Sequence, residues 1–250
     1  KPYEDGGFGL LGGFGLVHCS GLRHDARRGS SFRARQAQQG VAHECKTIAH
    51  AKQIALEEHF IVANTTALIV GGAGLIGSAT ARALLADGGL NVVVVDRLGP
   101  ASARKWANVP TGVSDFLPPE NLEPWLDKNW RDLAAIVCAA DAPDSNDADG
   151  VFDTHFTLPK LLWGWAVAKQ RGFVFASSRE VYGDGPCLNE TDPASIAALQ
   201  PLSARGHAQR LFELSVVREA LAGNAPPFWT GFRVFDAYGL EESHKGGRAS

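Results

Sequence analysis

The chain has 250 residues, of which 45% are hydrophobic and 20% are charged, and its formal net charge is −3. These proportions are typical of a globular protein with a buried core and exclude a disordered chain. No apolar run approaches the roughly 18 to 20 residues that a membrane-spanning helix needs, and a pI near 6.3 gives no support to nucleic-acid binding. We therefore expect neither a membrane span nor a nucleic-acid partner. The cysteines are scattered without short spacings, so we also predict no metal site.

The first 66 residues differ from the remainder, and we predict a domain boundary between residues 66 and 67. Eight basic and six acidic residues give residues 1–66 a formal charge of +2, whereas residues 67–250 carry −5. The first 40 residues lack helical or strand periodicity, which predicts an irregular extension followed by a helix over 41–61. The apolar stretch 6–17 should lie against this fold or against a neighbouring protein. We therefore predict that residues 1–66 bind other protein subunits.

From residue 67 onwards, short apolar runs alternate with helical patterns. The run 91–96 is continuous and β-branched, which is typical of a strand that is covered on both faces. The predicted strands are 67–70, 91–96, 133–139, 173–177 and 229–235, and the predicted helices are 78–87, 150–170 and 203–223. This alternation predicts an α/β fold with a Rossmann-like, doubly wound parallel sheet over residues 67–250. We interpret the Asp-rich stretch 141–153 as a solvated loop and helix start rather than a metal site.

A glycine cluster lies between the first predicted strand and the first predicted helix of this domain. Gly71, Gly74 and Gly77 would let the backbone turn tightly, approach a pyrophosphate and pack the helix onto the sheet. The alternative interpretation is that these glycines form a structural turn between strand and helix that binds no pyrophosphate. Asp96 ends the next strand, where its carboxylate could accept hydrogen bonds from an adenosine ribose. A second glycine triplet, at 7–12, follows no strand and predicts only a turn. The candidate cofactor-binding residues are Gly71, Gly74, Leu75, Ile76, Gly77, Asp96, Arg97, Lys105, Ala139 and Ala140.

Three segments carry a family resemblance: GGAGLIGS at 71–78, FASSREVYG at 175–183 and GFRVFDAYG at 231–239. Together they resemble the extended short-chain dehydrogenase/reductases, the family of nucleotide-sugar epimerases and dehydratases. Residues 105–109 and 243–250 are similar to segments of its ADP-L-glycero-D-manno-heptose 6-epimerase branch. The resemblance implies a bound NAD or NADP and hydride transfer between a sugar hydroxyl and the nicotinamide.

The choice between the two cofactors stays open. Asp96 favours NAD, because its carboxylate would bind the ribose diol and repel a 2′-phosphate. Arg97 and Lys105 could instead accommodate that phosphate. Since the resembled branch tends toward NADP, we expect NADP slightly more than NAD.

The resemblance also implies the catalytic residues. Ser178 would bind the reacting hydroxyl, and Lys245 would be a second acid/base residue. Relatives have a proton-accepting Tyr and, four positions later, a Lys that lowers the pKa of that Tyr, but Arg205 and Gln209 occupy these positions here. An arginine stays protonated, and a neutral glutamine cannot lower a neighbouring pKa by its charge. Rescue by His207 is disfavoured, because an offset of two residues faces the opposite side of a helix.

We therefore expect a catalytically degenerate, NAD(P)-binding relative that serves as an accessory subunit of a larger assembly. An active nucleotide-sugar epimerase and a dinucleotide-binding redox sensor are the alternatives. Because the resembled enzymes continue well past the position of Ser250, we expect a truncated substrate lobe. The absence of Met, even at position 1, and the Arg-rich start predict processing and an organellar location, mitochondrial or plastid, with the cytoplasm as the alternative.

Overall fold

The computed structural model describes residues 12–17, 65–97, 106–142, 146–185, 192–235 and 237. The described strands are β1 (Gly12–Val17), β2 (Thr66–Val70), β3 (Asn91–Val95), β4 (Asp115–Leu117), β5 (Leu133–Cys138), β6 (Gly172–Ser178) and β7 (Trp229–Val234). The described α-helices are α1 (Leu75–Asp87), α2 (Leu122–Asn129), α3 (Ala148–Phe152), α4 (Leu158–Lys169), α5 (Pro193–Ala198) and α6 (Ala204–Leu221). A π-helical turn, Asp153–Thr157, joins α3 to α4, and 3-10 turns occupy Pro119–Asn121 and Arg179–Tyr182.

All these strands run parallel in the spatial order β1-β7-β6-β5-β2-β3-β4. From β2 the chain moves outward through β3 and β4, and it then crosses to β5, β6 and β7 on the other side. The strand order therefore reverses between β2 and β5. In doubly wound sheets, ligands bind at this switch point, outside the carboxyl ends of the strands. The predicted α/β fold with a Rossmann-like parallel sheet is confirmed.

The sheet is covered on both faces. Along β2, Leu68 and Val70 belong to one hydrophobic cluster, and Ala67 and Ile69 belong to the other, as strand alternation requires. The cluster under α4 and α6 contains aromatic rings in edge-to-face contact, with centroids 4.9 to 6.4 Å apart. Its rings belong to Trp163, Phe173, Phe175, Phe212 and Trp229. This packing holds α6 against the strands whose carboxyl ends form the site described below.

The five predicted strands from residue 67 onwards are confirmed to within one residue at each end. The helix predicted to start at residue 78 begins three residues earlier, at Leu75, because the glycine loop already ends at Gly74. The helix predicted over 150–170 is divided into α3 and α4 by the π-helical turn. The sequence analysis missed β4, α2 and α5, because elements of three to eight residues contain too little periodicity to be recognised.

The prediction of an irregular extension is wrong for β1. Its backbone pairs with β7 from Gly12 opposite Trp229 to Val17 opposite Val234. Three glycines among its six residues conceal the strand, since Gly is depleted in strands. The pairing gives residues 12–17 of the apolar stretch 6–17 a place at the edge of the sheet, and residues 6–11 lie outside the described residues. The predicted helix over 41–61 lies outside the described residues, and the domain boundary stays a prediction.

Candidate functional site

The loop between β2 and α1 is pressed against the end of β5. Gly71 has a φ of +83°, and a Cβ at this position would lie 2.5 Å from the Ala139 carbonyl oxygen and from the Ala140 Cα. The Ala139 N–H donates to the Val70 carbonyl oxygen at 2.8 Å, which fixes the two segments together. A side chain at Gly71 would be strained by the positive φ and would collide with backbone atoms. The structure therefore brings three candidate residues, Gly71, Ala139 and Ala140, into direct contact.

Helix α1 begins at this loop without a side-chain cap. Gly74 is its N-cap residue, with φ −76° and ψ 173°. A Cβ at Gly77 would lie 2.7 Å from the Gly72 Cα, so glycine allows α1 to pack closely onto the loop. Leu75 is buried in the first turn of the helix, and Ile76 is half-buried. The uncapped amides and the positive end of the helix dipole are suited to binding a phosphate.

Asp96 is a buried carboxylate that holds the glycine loop. Its Oδ2 accepts a hydrogen bond from the Ala73 N–H at 2.9 Å, and its Oδ1 accepts one from the Arg97 N–H at 2.8 Å. On the other side of Ala73, the Asn108 Nδ2 donates to the Ala73 carbonyl oxygen at 3.1 Å. Arg82 on α1 in turn donates to the Asn108 carbonyl oxygen at 3.2 Å. The sequence analysis missed Asn108 as a loop-supporting residue, although it lies within the segment 105–109 that carried part of the resemblance.

Ser178 ends β6 and is hydrogen-bonded to α6. Its Oγ donates to the Gln209 Oε1 at 2.7 Å and accepts from the Glu180 N–H at 3.2 Å. Gln209 is buried, with 6% of its surface exposed. The Ser178 hydroxyl is therefore engaged by protein groups on both sides, and the side chain that accepts its hydrogen bond is uncharged.

Arg205 lies one helical turn before Gln209 and bridges two carboxylates. Its Nη2 lies 3.0 Å from Asp141 Oδ1, and its Nη1 lies 3.6 Å from Glu180 Oε1. Glu180 is also held by a hydrogen bond from the Ser203 hydroxyl. We call Asp141, Arg205 and Glu180 the arginine bridge. Because Asp141 follows β5 and Glu180 follows β6, the bridge spans the carboxyl ends of two neighbouring strands.

A small pocket lies behind the arginine bridge, and its lining includes Cys138, His155, Ser177 and Gln209. His155 Nε2 is 3.3 Å from Asp141 Oδ1 but makes no hydrogen bond, and the Ser177 hydroxyl is also buried without a hydrogen-bond partner. Burial raises the pKa of Cys138 to about 12, although a backbone hydrogen bond with Ala140 opposes this rise. The Cys138 thiol is therefore uncharged near neutral pH and is not a nucleophile there.

Beneath the site, a buried ion pair joins α6 to β7. Arg233 Nη2 lies 2.5 Å from Glu213 Oε2, and the two side chains are 1% and 0% exposed. The Arg233 guanidinium also lies over the Tyr182 ring, 4.6 Å from its centroid. Burial alone would lower the pKa of Arg233, but the hydrogen bonds and charge of Glu213, aided by Tyr182, raise it above its ordinary value. Arg233 therefore stays protonated, and its bonds to Glu213 fix α6 relative to the end of β7.

The remaining candidates lie apart from this cluster or outside the described residues. Arg97 is exposed beside Asp96, and His207 is exposed on α6 while Gln209 is buried. Of the chain's three tyrosines, Tyr182 lies in the described part, where Arg233 engages it. Lys105 and Lys245 lie outside the described residues.

Neither a metal site nor a membrane span is found in the described part of the chain. There, no group of three or more His, Cys, Asp or Glu side chains could hold a metal ion. In the Asp-rich stretch, Asp147 caps α3 by accepting a hydrogen bond from the Gly150 N–H at 3.0 Å, as the helix-start interpretation requires. None of the described helices has the length and apolar character to cross a membrane.

Comparison with known proteins gives a family and individual relatives. The model of the NAD dependent epimerase/dehydratase family matches residues 67–249. The ADP-L-glycero-D-manno-heptose-6-epimerase of Fusobacterium nucleatum is 31% identical over 190 residues, which are 73% of this chain and 56% of the relative. The protein of the same name from Nitratidesulfovibrio vulgaris is 32% identical over 186 residues, which are 72% of this chain and 55% of the relative. The chain therefore spans little more than half the length of these curated relatives.

Two solved structures are similar in fold. The ADP-L-glycero-D-manno-heptose-6-epimerase of Helicobacter pylori has a TM-score of 0.59 at 24% identity, with coverage of 75% of this chain and 60% of that chain. The UDP-glucuronic acid 4-epimerase of Bacillus cereus, solved in complex with NAD, has a TM-score of 0.54 at 21% identity, with coverage of 70% and 57%. At these identities, the similarity shows a shared fold.

Proposed function

Because the chain belongs to the NAD dependent epimerase/dehydratase family, we propose that it binds NAD or NADP at the carboxyl edge of its sheet without epimerising a nucleotide sugar. One observation carries the proposal, and it concerns two residues one turn apart on α6. Arg205 forms an ion pair with Asp141, and Gln209 accepts a hydrogen bond from Ser178. Neither side chain can accept a proton. The resemblance implies Tyr and Lys at these two positions. The fold and the glycine loop at the carboxyl edge of the sheet are thus retained. The Tyr and Lys that move the proton in relatives are absent from positions 205 and 209.

The residues around the glycine loop support dinucleotide binding. Gly71 leaves a narrow cradle that any Cβ would fill, and the uncapped amides of α1 would hold a pyrophosphate. The Asp96 carboxylate, which the Ala73 N–H holds in place, would accept a hydrogen bond from a ribose hydroxyl. When bound, the dinucleotide supplies a hydride donor or acceptor. Asp96 favours NAD, and the neighbouring exposed Arg97 would pair with the 2′-phosphate of NADP.

The bonds made by Ser178 and Arg205 support the absence of epimerisation. A sugar hydroxyl would have to displace Gln209 from Ser178 and would then find no base at position 205. General acid/base help is typically worth about 10²- to 10⁴-fold in rate. We therefore expect hydride transfer at this site to be too slow to serve as an epimerase activity.

Paired binding and turnover measurements test the proposal. Calorimetric titration should give saturable binding of NAD or NADP, and chromatographic separation of ADP-heptose epimers should show no interconversion above the buffer rate. The Fusobacterium nucleatum relative, assayed alongside, controls for substrate quality. Turnover by this chain, or its failure to bind either dinucleotide, would contradict the proposal.

We also propose that the chain is an accessory subunit of a larger, organellar assembly, which it binds through residues 1–66. The +2 charge of that segment supports a docking role, whereas residues 12–17 of its apolar stretch pair with β7 of this chain. Fractionation of the source cells followed by native mass measurement should find the chain in an organelle and within a larger complex. A monodisperse free monomer, or a purely cytoplasmic location, would contradict this part of the proposal.

An active ADP-heptose epimerase is the second candidate, favoured by the 31% and 32% identities to enzymes of that name. It would need another acid/base group, and His155 is a buried titratable side chain in the pocket beside Gln209. Turnover of an ADP-heptose that is lost in Ser178→Ala and in His155→Gln would establish this candidate.

A redox-sensing role would instead require that the affinity of the chain for its partner differ between the oxidised and the reduced cofactor. Titration of the partner in the presence of each cofactor form measures this difference.

A further inference from the structure

We infer that the site recognises the nucleoside diphosphate half of its ligand, and that the arginine bridge removes the affinity that the second base of a dinucleotide would add. The inference rests on the proposed function, because it concerns the same cleft. The ligand class is therefore a nucleoside diphosphate or a small ester of one, bound about as tightly as the complete dinucleotide.

The first half of the cleft is formed without a ligand. Asp96 is buried, and its carboxylate is already oriented by the Ala73 N–H at 2.9 Å. Asn108 holds the carbonyl of the same residue at 3.1 Å. A ribose and its diphosphate would therefore meet a loop and a carboxylate that need no rearrangement, and such preorganisation favours binding.

The second half of the cleft is spanned by Arg205. Beyond the switch point, the rest of a dinucleotide would lie over the ends of β5 and β6. These are the two strand ends that Arg205 joins, through Asp141 at 3.0 Å and Glu180 at 3.6 Å. Two different guanidinium nitrogens bind the two carboxylates, so the planar fork of Arg205 is held by both.

Neighbouring groups hold this arrangement in place. The Ser203 hydroxyl donates a hydrogen bond to Glu180, whereas His155 Nε2 lies 3.3 Å from Asp141 Oδ1 without a hydrogen bond. The Ser178–Gln209 hydrogen bond occupies the adjacent polar groups at the end of β6. The second base of a dinucleotide would have to open these contacts, and its own contacts would then be offset by the ones that it replaces.

The affinity ratio between NAD and ADP-ribose measures this effect, because ADP-ribose lacks only the nicotinamide. Calorimetric titration of the full chain with ADP, ADP-ribose and NAD should give dissociation constants for ADP-ribose and NAD within about threefold of each other. In Arg205→Ala, we expect NAD to bind about three- to tenfold more tightly while ADP-ribose is unchanged, since two half-exposed ion pairs are worth about that factor. Arg218→Ala is the matched control, because Arg218 is exposed near the far end of the same helix and should leave both constants unchanged.

The outcomes separate this inference from the proposed function. More than about threefold tighter binding of NAD than of ADP-ribose by the unmodified chain overturns the inference and leaves dinucleotide binding intact. An unchanged ratio in Arg205→Ala also overturns it. Absence of binding by all three ligands overturns both. Equal affinities in the unmodified chain, together with a ratio that shifts only in Arg205→Ala, support the inference.

Discussion

Removal of either partner of the Arg233–Glu213 pair should destabilise the protein strongly. The two side chains are 1% and 0% exposed, and Arg233 Nε and Nη2 donate three hydrogen bonds of 2.5 to 3.2 Å to the carboxylate. Arg233→Met would leave the Glu213 carboxylate buried and unneutralised, and Glu213→Leu would do the same to the guanidinium. Each change should lower the free energy of unfolding by about 3 to 5 kcal/mol. For a chain of this size, that loss corresponds to a fall in Tm of about 6 to 20 °C.

Urea unfolding followed by tryptophan fluorescence measures this effect, because Trp163 and Trp229 lie in the core beside α6 and β7. The double variant Glu213→Leu/Arg233→Met removes both charges and should be more stable than either single variant, since neither charge is then buried alone. A loss below about 1 kcal/mol in either single variant would refute the reasoning, because a buried unpaired charge costs more than that. If the double variant lost as much free energy of unfolding as the two single variants together, the destabilisation would come from lost packing rather than from an unpaired charge.

Three further predictions concern the loop, the cofactor and the Asp192 cap of α5. Gly71→Ala should weaken NAD binding more than tenfold in calorimetric titration, whereas Gly89→Ala, with a similar φ of +80° but open space around it, should not. Arg97→Ala should weaken NADP and leave NAD unchanged in the same titration, because the exposed guanidinium would pair only with the 2′-phosphate. Hydrogen bonds from the Ser195 hydroxyl and the Ser195 and Ala194 amides lower the pKa of Asp192 below its ordinary 3.8. Because the pKa of Asp192 is lower in the folded than in the unfolded chain, the charged carboxylate stabilises the folded state at any pH above 3.8. In urea unfolding, the unmodified chain should therefore exceed Asp192→Ala in free energy of unfolding by its full margin at pH 6. This margin should be lost as the pH falls below 3.8.

Local sequence was sufficient to predict the sheet and the glycine loop, because both depend on neighbouring residues. The apolar run at 91–96 and the glycines at 71–77 each lie within one segment, and β3 and the loop form from them directly. β1 was missed because its formation depends on a distant part of the chain. Its Gly-rich hexapeptide does not specify a strand by itself, and the strand forms where the backbone pairs with β7. Its pairing is a tertiary effect that local propensity does not contain.

The arginine bridge could not be predicted from the sequence, because its partners are far apart in the chain. Asp141 precedes Arg205 by 64 positions, and the sequence analysis placed Asp141 only in an Asp-rich stretch. Asn108 likewise hydrogen-bonds a residue on another element, through the Ala73 carbonyl oxygen. The resemblance identified position 205 as unusual, but only the packed structure shows the two carboxylates that neutralise the guanidinium.

The contacts of helix α6 show how the proposed replacement of a proton-transfer site would leave the fold intact. Arg205, Gln209 and Glu213 lie at intervals of four residues on one face, and each bonds a different element: the end of β5, the end of β6 and the end of β7. The deepest of the three contacts, Glu213 with Arg233, is structural and buried, whereas the two nearer the cleft are partly exposed or uncharged. Changes at 205 and 209 would therefore alter the chemistry at the cleft while the pair at 213 continued to hold the helix. By this reasoning, Arg205→Ala should change ligand preference with little loss of stability, and Glu213→Leu should destabilise the whole sheet.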